Sequence, residues 1–293
     1  MKHRLFIMPL LVIIAMASSC AYFQKKDEPP PLPPIEETKP PLTMKGDYFK
    51  AYPWSELPKP RKDGNDPDTI TYTVKEGDTL DSIAENLMGD PALASDLAAF
   101  NDLSSPSAIK AGEKIVVPNP IIGVSSEIMI KSKGEKDFGA PKRFGVEFKK
   151  GDEYKLRFES NVNGYLYVLR KGAKGLEYLY PAAVKTTKRT KTAQPLMRDS
   201  GRVHPHEAVE IPIGKKGFLY DPKKVGDMLY VFLSLRKIPE LEDLKEKKSP
   251  RVEDVEDVMH RVKEGEVLNS PPYHLLRISD PSEILGFSLN IDG

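Results

Sequence analysis

Cysteine is nearly absent: Cys20 is the only one in 293 residues. A lone cysteine makes no internal disulfide and builds no cysteine-rich zinc site, so a disulfide-stapled mini-domain and a zinc ribbon are both excluded. Charge of one sign is missing too, since 44 Lys and Arg face 43 Asp and Glu for a net charge of +1. That balance gives no bulk attraction to nucleic acid, and none is expected as a partner. The apolar run from Leu5 to Ala17 rises only about 20 Å as a helix, short of the roughly 30 Å of a bilayer core, which disfavours a spanning helix. No Gly-x-Ser-x-Gly elbow occurs, and a triad drawn from His206 or His260 with one of many serines would be arbitrary. What remains, 39% hydrophobic and 30% charged residues, is the composition of a soluble globular protein long enough for about two domains.

The position of the cysteine carries more than its rarity. Lys2, His3 and Arg4 form a charged start, the apolar run follows, and Ala17-Ser18-Ser19 leads into Cys20. One reading is an ordinary secretory peptide followed by a free cysteine. The segment resembles the lipobox of bacterial lipoproteins, although Ala17 stands where the usual pattern has leucine. The resemblance implies removal of residues 1–19, acylation of Cys20 through its sulfur and its new amine with palmitate-type chains, and a membrane partner held through those chains. Ala21 follows in place of an aspartate, which favours the outer membrane and a periplasm-facing location. Cleavage removes Lys2 and Arg4 and no acid, so the mature charge becomes about −1.

Residues 20–68 read as a linker. Ten of the 27 prolines fall between Pro29 and Pro60. Proline lacks an amide donor and fixes φ, so this stretch is expected as extended polyproline-like chain, about 3.1 Å per residue and on the order of 100 Å at most. A ligand for a proline-recognition domain is the competing reading. Tyr48, Phe49, Tyr52 and Trp54 interrupt the linker with aromatics suited to docking on a folded domain or on a partner.

Residues 69–120 form the clearest unit. Ile70, Tyr72 and Val74 alternate with threonines, as in a strand with one buried face. Gly77 permits a tight turn, and Asp78 or Thr79 can cap a helix whose Leu80, Ile83, Ala84 and Leu87 share one face. Gly89 ends that helix, Asp90-Pro91 starts another with Leu93, Leu97 and Phe100 on its buried side, and Ile115 to Val117 return to strand before Pro118. The run Tyr72-Thr73-Val74-Lys75-Glu76-Gly77-Asp78-Thr79-Leu80, with Ile83-Ala84, Asn101, Ala111-Gly112-Glu113 and Ile115 to Pro118, resembles a LysM domain. That resemblance implies binding of peptidoglycan or another N-acetylglucosamine-containing glycan in a groove between two loops. Gly77, Asp78, Thr79 and Leu80 would form one wall; Asn101, Asp102, Leu103, Ser104, Ser105, Pro106 and Ile109 would form the other. A neutral glycan asks for backbone donors and acceptors and small apolar contacts, which these residues can supply. Gly77, Asp78 and Thr79 are equally suited to serving only as turn and cap.

Residues 124–293 change to short β-prone runs, including 144–148, 154–158, 165–169, 176–180 and 228–233, separated by turns such as Asn163-Gly164. The expected fold is α+β and multidomain: a small βααβ unit, then a mostly antiparallel β-sandwich with a helical insertion at 240–264 whose Val252, Val255, Met259 and Val262 dock on it. Residues 148–239 resemble a bacterial β-domain family of unknown function, which brings no catalytic residues. His204-Pro205-His206-Glu207 is the one tight histidine cluster; with no second cluster to complete it, no metal and no cofactor is expected. Lys185 to Lys191 form a basic loop, read either as solvated surface or as a contact for an anionic polymer. With Cys20 acylated no thiol nucleophile remains, and no catalytic residue is assigned. These features point to a non-catalytic, peptidoglycan-binding envelope lipoprotein with an envelope-protein partner for its C-terminal domain. A LysM-targeted cell-wall hydrolase and an accessory of an envelope secretion or assembly complex are the alternatives.

Overall fold

The computed structural model describes residues 44–57, 69–172, 175–181, 200–222, 227–247, 250–269 and 272–291. Cys20 and its leader, the prolines from Pro29 to Pro41, and the basic loop Lys185 to Lys191 lie outside the described residues. All described residues belong to one unit, Pro41–Gly293.

Two antiparallel strands, β1 (Thr69–Thr73) and β2 (Lys114–Pro118), pair from Thr69 with Pro118 to Thr73 with Lys114. Helix α1 (Leu80–Met88) begins at Thr79, whose hydroxyl accepts from Ser82 N–H while the Ser82 hydroxyl accepts from Thr79 N–H. Its apolar face puts Leu80, Ile83, Ala84, Leu87 and Met88 into a core shared with Val74, Ile115 and Val117. Gly89 closes α1 in the left-handed conformation, φ 81°. The Asp90 carboxylate then accepts from Ala92 N–H, opening a 3₁₀ turn at Pro91–Leu93 that runs into α2 (Ala94–Phe100). Of the three residues expected on the buried side of this second helix, Leu97 is fully buried, and Leu93 and Phe100 partly so. Complete burial of one such leucine contributes roughly 2 kcal/mol.

Only Asn119 and Pro120 separate β2 from β3 (Ile121–Lys131), the first strand of an antiparallel sandwich. The later strands are β4 (Glu153–Ser160), β5 (Gly164–Gly172), β6 (Gly175–Tyr180), β7 (Arg202–Val203), β8 (Ala208–Ile211), β9 (Phe218–Leu219) and β10 (Met228–Ser234). After helices α3 (Pro239–Glu246) and α4 (Glu253–Met259) come β11 (Glu266–Asn269), β12 (Pro272–Arg277) and β13 (Leu285–Asn290). One sheet runs β11-β12-β3-β4-β8, with β9 also on β4; the other runs β13-β10-β5-β6, with β7 on β5. Alternate residues of both sheets point inward, so Ile122, Val124, Leu156 and Phe158 meet Leu166, Val168, Val231 and Leu233 in the core. The fold is therefore α+β, as its element pattern implies.

Two local readings change. Residues 144–148 form no strand. Their alternating Phe144, Val146 and Phe148 instead pack against the sandwich core, Phe148 stacking on Tyr220 at 4.6 Å. The helical insertion is two short helices on the outer face of the five-stranded sheet. There Ile238, Leu241, Leu244, Val255 and Val258 pack on Tyr167, Leu169 and Phe232. Of the expected stripe, Val255 is buried in this cluster and Met259 and Val262 pack against it, with Val258 buried beside them.

The aromatics ahead of β1 pack on both folded regions. Phe49 stacks on Tyr273 at 4.2 Å, and Tyr48 and Phe49 share a buried cluster with Ile121 and Leu275. Asn161 locks this contact, its amide donating to the carbonyls of Ile121 (2.8 Å) and Tyr48 (3.4 Å) while its oxygen accepts from Gly123 N–H. Farther on, Tyr52 and Trp54 cover the core beneath α1 and α2, and the Tyr52 hydroxyl donates to the Asn119 carbonyl at 2.9 Å.

The end of α1 meets the sandwich directly. The Asn163 N–H donates to the Gly89 carbonyl at 2.7 Å, and Arg202 pairs with Glu85 beside it. A Cβ placed on Gly89 would stand 2.8 Å from both Leu235 Cδ2 and Val162 Cβ. Gly89→Ala is therefore expected to cost about 2 kcal/mol, from the left-handed backbone and the clash together. A lowered urea midpoint, with faster amide exchange at Asn163, checks it; an unchanged midpoint would remove Gly89 from this role.

Candidate glycan-binding site

The candidate groove lies toward the end of α1 opposite Gly89, the residue that meets the sandwich. Its first wall is the loop between β1 and α1. Val74 N–H donates to Glu113 and Gly112 N–H donates back to Val74, which aligns this loop with the one entering β2. Gly77 has φ 85° and no atom within 4 Å of where a Cβ would stand, so its backbone is open to solvent.

Asp78 is committed elsewhere. Its carboxylate accepts from the Lys75 N–H and the Tyr72 hydroxyl, both at 2.8 Å. The Lys75 amide first, and then the Tyr72 hydroxyl, hold the Asp78 carboxyl below its ordinary range. Burial, reinforced by this same bond, raises the Tyr72 hydroxyl. Thr79 is the N-cap, which decides between the two capping candidates, and Leu80 is buried in the core. Of the first wall, the Gly77 backbone is what a ligand can reach.

The second wall divides in the same way. The Asn101 amide donates to the carbonyls of Leu97 (2.9 Å) and Val116 (2.8 Å), and its oxygen accepts from Val116 N–H (2.7 Å). The side chain thereby ties the end of α2 to β2. Asp102 follows with φ 53°, a conformation that short polar residues tolerate, and turns the chain so that Leu103 N–H reaches the Ala98 carbonyl. Leu103 and Ile109 lean on the core, while Asp102 and Ser104 are exposed. Ser105 and Ser107 share a hydrogen bond of 3.0 Å across the 3₁₀ turn Pro106–Ala108, which packs against α1 and so brings the second wall beside the first.

The rim is thus Gly77 on one side and Asp102, Ser104, Ser105 and Pro106 on the other, with hydroxyls, peptide groups and apolar edges. Tyr72 and Ser107 are additions that sequence reasoning did not single out. Tyr72 had a signal, since it stands in the same short run as Asp78; Ser107 lay unmarked inside the second loop.

The histidine cluster does not converge. His204 Nδ1 lies 2.6 Å from Asn163 Oδ1, whereas His206 Nδ1 faces Glu159 at 3.4 Å and its ring meets Phe49 edge-on. Among the described residues, no three His, Cys, Asp or Glu side chains form a group able to hold a metal. A further histidine, His274, is buried between the sheets and stacked on Phe287 at 3.5 Å; desolvation pushes its pKa down to about 4, so it is a neutral core residue near pH 7.

Residues 72–118 match the LysM domain family and form a LysM domain, a module that binds peptidoglycan or related N-acetylglucosamine-containing glycans. The chain is also similar to an uncharacterized protein of Deinococcus radiodurans, 42% identical over 57 residues. That alignment covers 20% of this chain and 22% of the relative, so the chain spans about a fifth of the relative's length.

Two expectations separate scaffold from rim. Asn101→Ala breaks three hydrogen bonds to backbone and is expected to cost about 2–3 kcal/mol in urea unfolding; a neutral change would contradict its structural role. For Asp78 the folded pKa is depressed. Its contribution to stability is then present above the unfolded carboxyl value, about 3.9, and lost as pH falls through the folded value. Asp78→Asn should lower the urea midpoint near pH 7, with the difference shrinking as pH falls through the folded value, and an effect independent of pH would exclude the ionised hydrogen bonds as the cause.

Proposed function

We propose that this protein is a non-catalytic tether of the bacterial cell envelope. Acylated Cys20 holds it on the outer membrane facing the periplasm, the proline-rich residues 20–68 give it reach, and the sandwich engages a second envelope protein. The observation that carries the reading is the LysM domain at residues 72–118, on a chain whose only cysteine closes a lipobox-like leader.

The chemistry of the rim supports a neutral ligand. Asp78 and Asn101, the polar side chains best able to grip a sugar, have their hydrogen bonds committed within the domain. Backbone groups around Gly77, the Ser104 and Ser105 hydroxyls and the apolar edge of Pro106 remain for the amides, hydroxyls and acetyl methyls of a glycan. Individual contacts of this kind are weak. Membrane attachment compensates by holding the groove at high effective concentration near its polymer, which makes weak single-site binding durable.

The test uses the chain from Ala21 to Gly293, because Tyr52 and Trp54 belong to the LysM core and the sandwich to its flank. It should cosediment with insoluble peptidoglycan and be released by N-acetylglucosamine oligomers. Ser104→Trp, which obstructs the rim, should weaken retention about tenfold with the fold unchanged. In cells, Cys20→Ala should move the protein from the membrane fraction to the soluble periplasm. No retention above an unrelated control protein, or release of soluble muropeptides by the purified chain, would overturn the reading.

A further inference from the structure

We propose that the end of the sandwich remote from the LysM domain is a docking surface for an anionic lipid bilayer. The LysM domain abuts the β4–β5 turn at Val162 and Asn163, so the opposite end is where β3 and β5 finish and β4 and β10 begin. A strand of eight residues such as β4 separates the two ends by about 26 Å.

Three loops are stitched together at this far end. Asp152, which is buried, accepts from Lys149 N–H (2.8 Å) and Lys133 N–H (3.4 Å) through its carboxylate, and its carbonyl accepts from Tyr220 N–H (2.8 Å). Glu153 accepts from Gly217 N–H (3.0 Å) and pairs with Lys131 (2.9 Å). These bonds consume the carboxylates nearest the loops and fix the loops relative to one another.

The surface that results has a surplus of cations. Lys133, Lys136, Lys149, Lys150, Lys215 and Lys216 are all exposed, and none is in an ion pair with a described residue. Besides Asp152 and Asp227, which faces Arg170, the acids on these loops are Glu135, Asp137, Glu147 and Asp221, and the exposed Lys142 and Arg143 bring the cations to twice their number. In a chain whose net charge is only +1, such a surplus is a segregation of charge.

Apolar side chains project from the same surface. Among the described residues only three large hydrophobics are strongly exposed, and two of them, Ile213 (44%) and Leu219 (68%), flank Lys215 and Lys216 on the excursion that leaves β8 and rejoins β4 at β9. Leu219 pairs with Glu153, so it lies beside the stitched loops. A soluble anionic polymer would answer the lysines and leave Ile213 and Leu219 in water. A bilayer answers both, with anionic headgroups for the lysines and the acyl boundary for the two apolar side chains, and this favours the lipid surface. The inference rests on neither glycan binding nor acylation of Cys20.

The test is cosedimentation of the chain from Ala21 to Gly293, which keeps the whole unit Pro41–Gly293, with vesicles of equal parts phosphatidylglycerol and phosphatidylcholine. Binding is expected to these vesicles and not to phosphatidylcholine alone, and to fall as salt rises. The quadruple variant K149Q/K150Q/K215Q/K216Q should bind at least about tenfold more weakly, and I213S/L219S several-fold more weakly, with unchanged circular dichroism and unchanged retention on peptidoglycan. Absence of binding, equal binding to neutral vesicles, or full binding by the quadruple variant would overturn the proposal. Equally tight capture by soluble polyglutamate, indifferent to I213S/L219S, would overturn it in favour of an acidic polymer.

Discussion

One residue without a side chain sets the arrangement of the folded body. Gly89 adopts a left-handed conformation that ends α1, and its missing Cβ lets Val162 and Leu235 of the sandwich come within contact of the backbone. Its carbonyl, left over by the helix end, is satisfied by Asn163 N–H. A helix terminus that would otherwise need water or a cap is completed by another domain. Because α1 is short and stiff, fixing its last turn against the sandwich also fixes its first turn, beside which the candidate rim lies.

The aromatic segment ahead of β1 reinforces this arrangement from outside. Phe49 and Tyr48 fill a site on the six-stranded sheet, while Tyr52 and Trp54 close the LysM core a few residues later. The LysM module is not a bead on a string but is packed on both its neighbours.

Within the groove, the side chains that look most like ligands are the ones most occupied. Asp78 closes its own loop with Tyr72 and Lys75, Thr79 caps α1, and Asn101 joins α2 to β2. The physical reason is economy of polar groups in a small domain: loops without regular pairing still have buried amides and carbonyls to satisfy, and the nearest short polar side chains do it. What is left for a neutral sugar is backbone, hydroxyls and small apolar edges. The sandwich uses the same rule at its far end, where Asp152 and Glu153 serve loop amides and so leave the neighbouring lysines facing solvent.

The LysM domain was legible in the sequence because its determinants are local. Alternation in β1, the i, i+3, i+4 spacing of α1, the cap at Thr79 and the glycine after Met88 each act over a few residues, and the structure repeats them. The strands at 154–158, 165–169, 176–180 and 228–233 were legible for the same reason, through their apolar positions, whereas β3, β7, β8, β9 and β11 were not read as separate runs. The exception, residues 144–148, carries a strand's period yet joins neither sheet, its apolar side chains packing on the sandwich core. Tertiary structure alone decided where the aromatics of the linker docked and which part of the sandwich received the end of α1. Those outcomes hang on pairs far apart in the chain, such as Gly89 with Asn163 and Phe49 with Tyr273, and no local period encodes which distant surface will supply the partner.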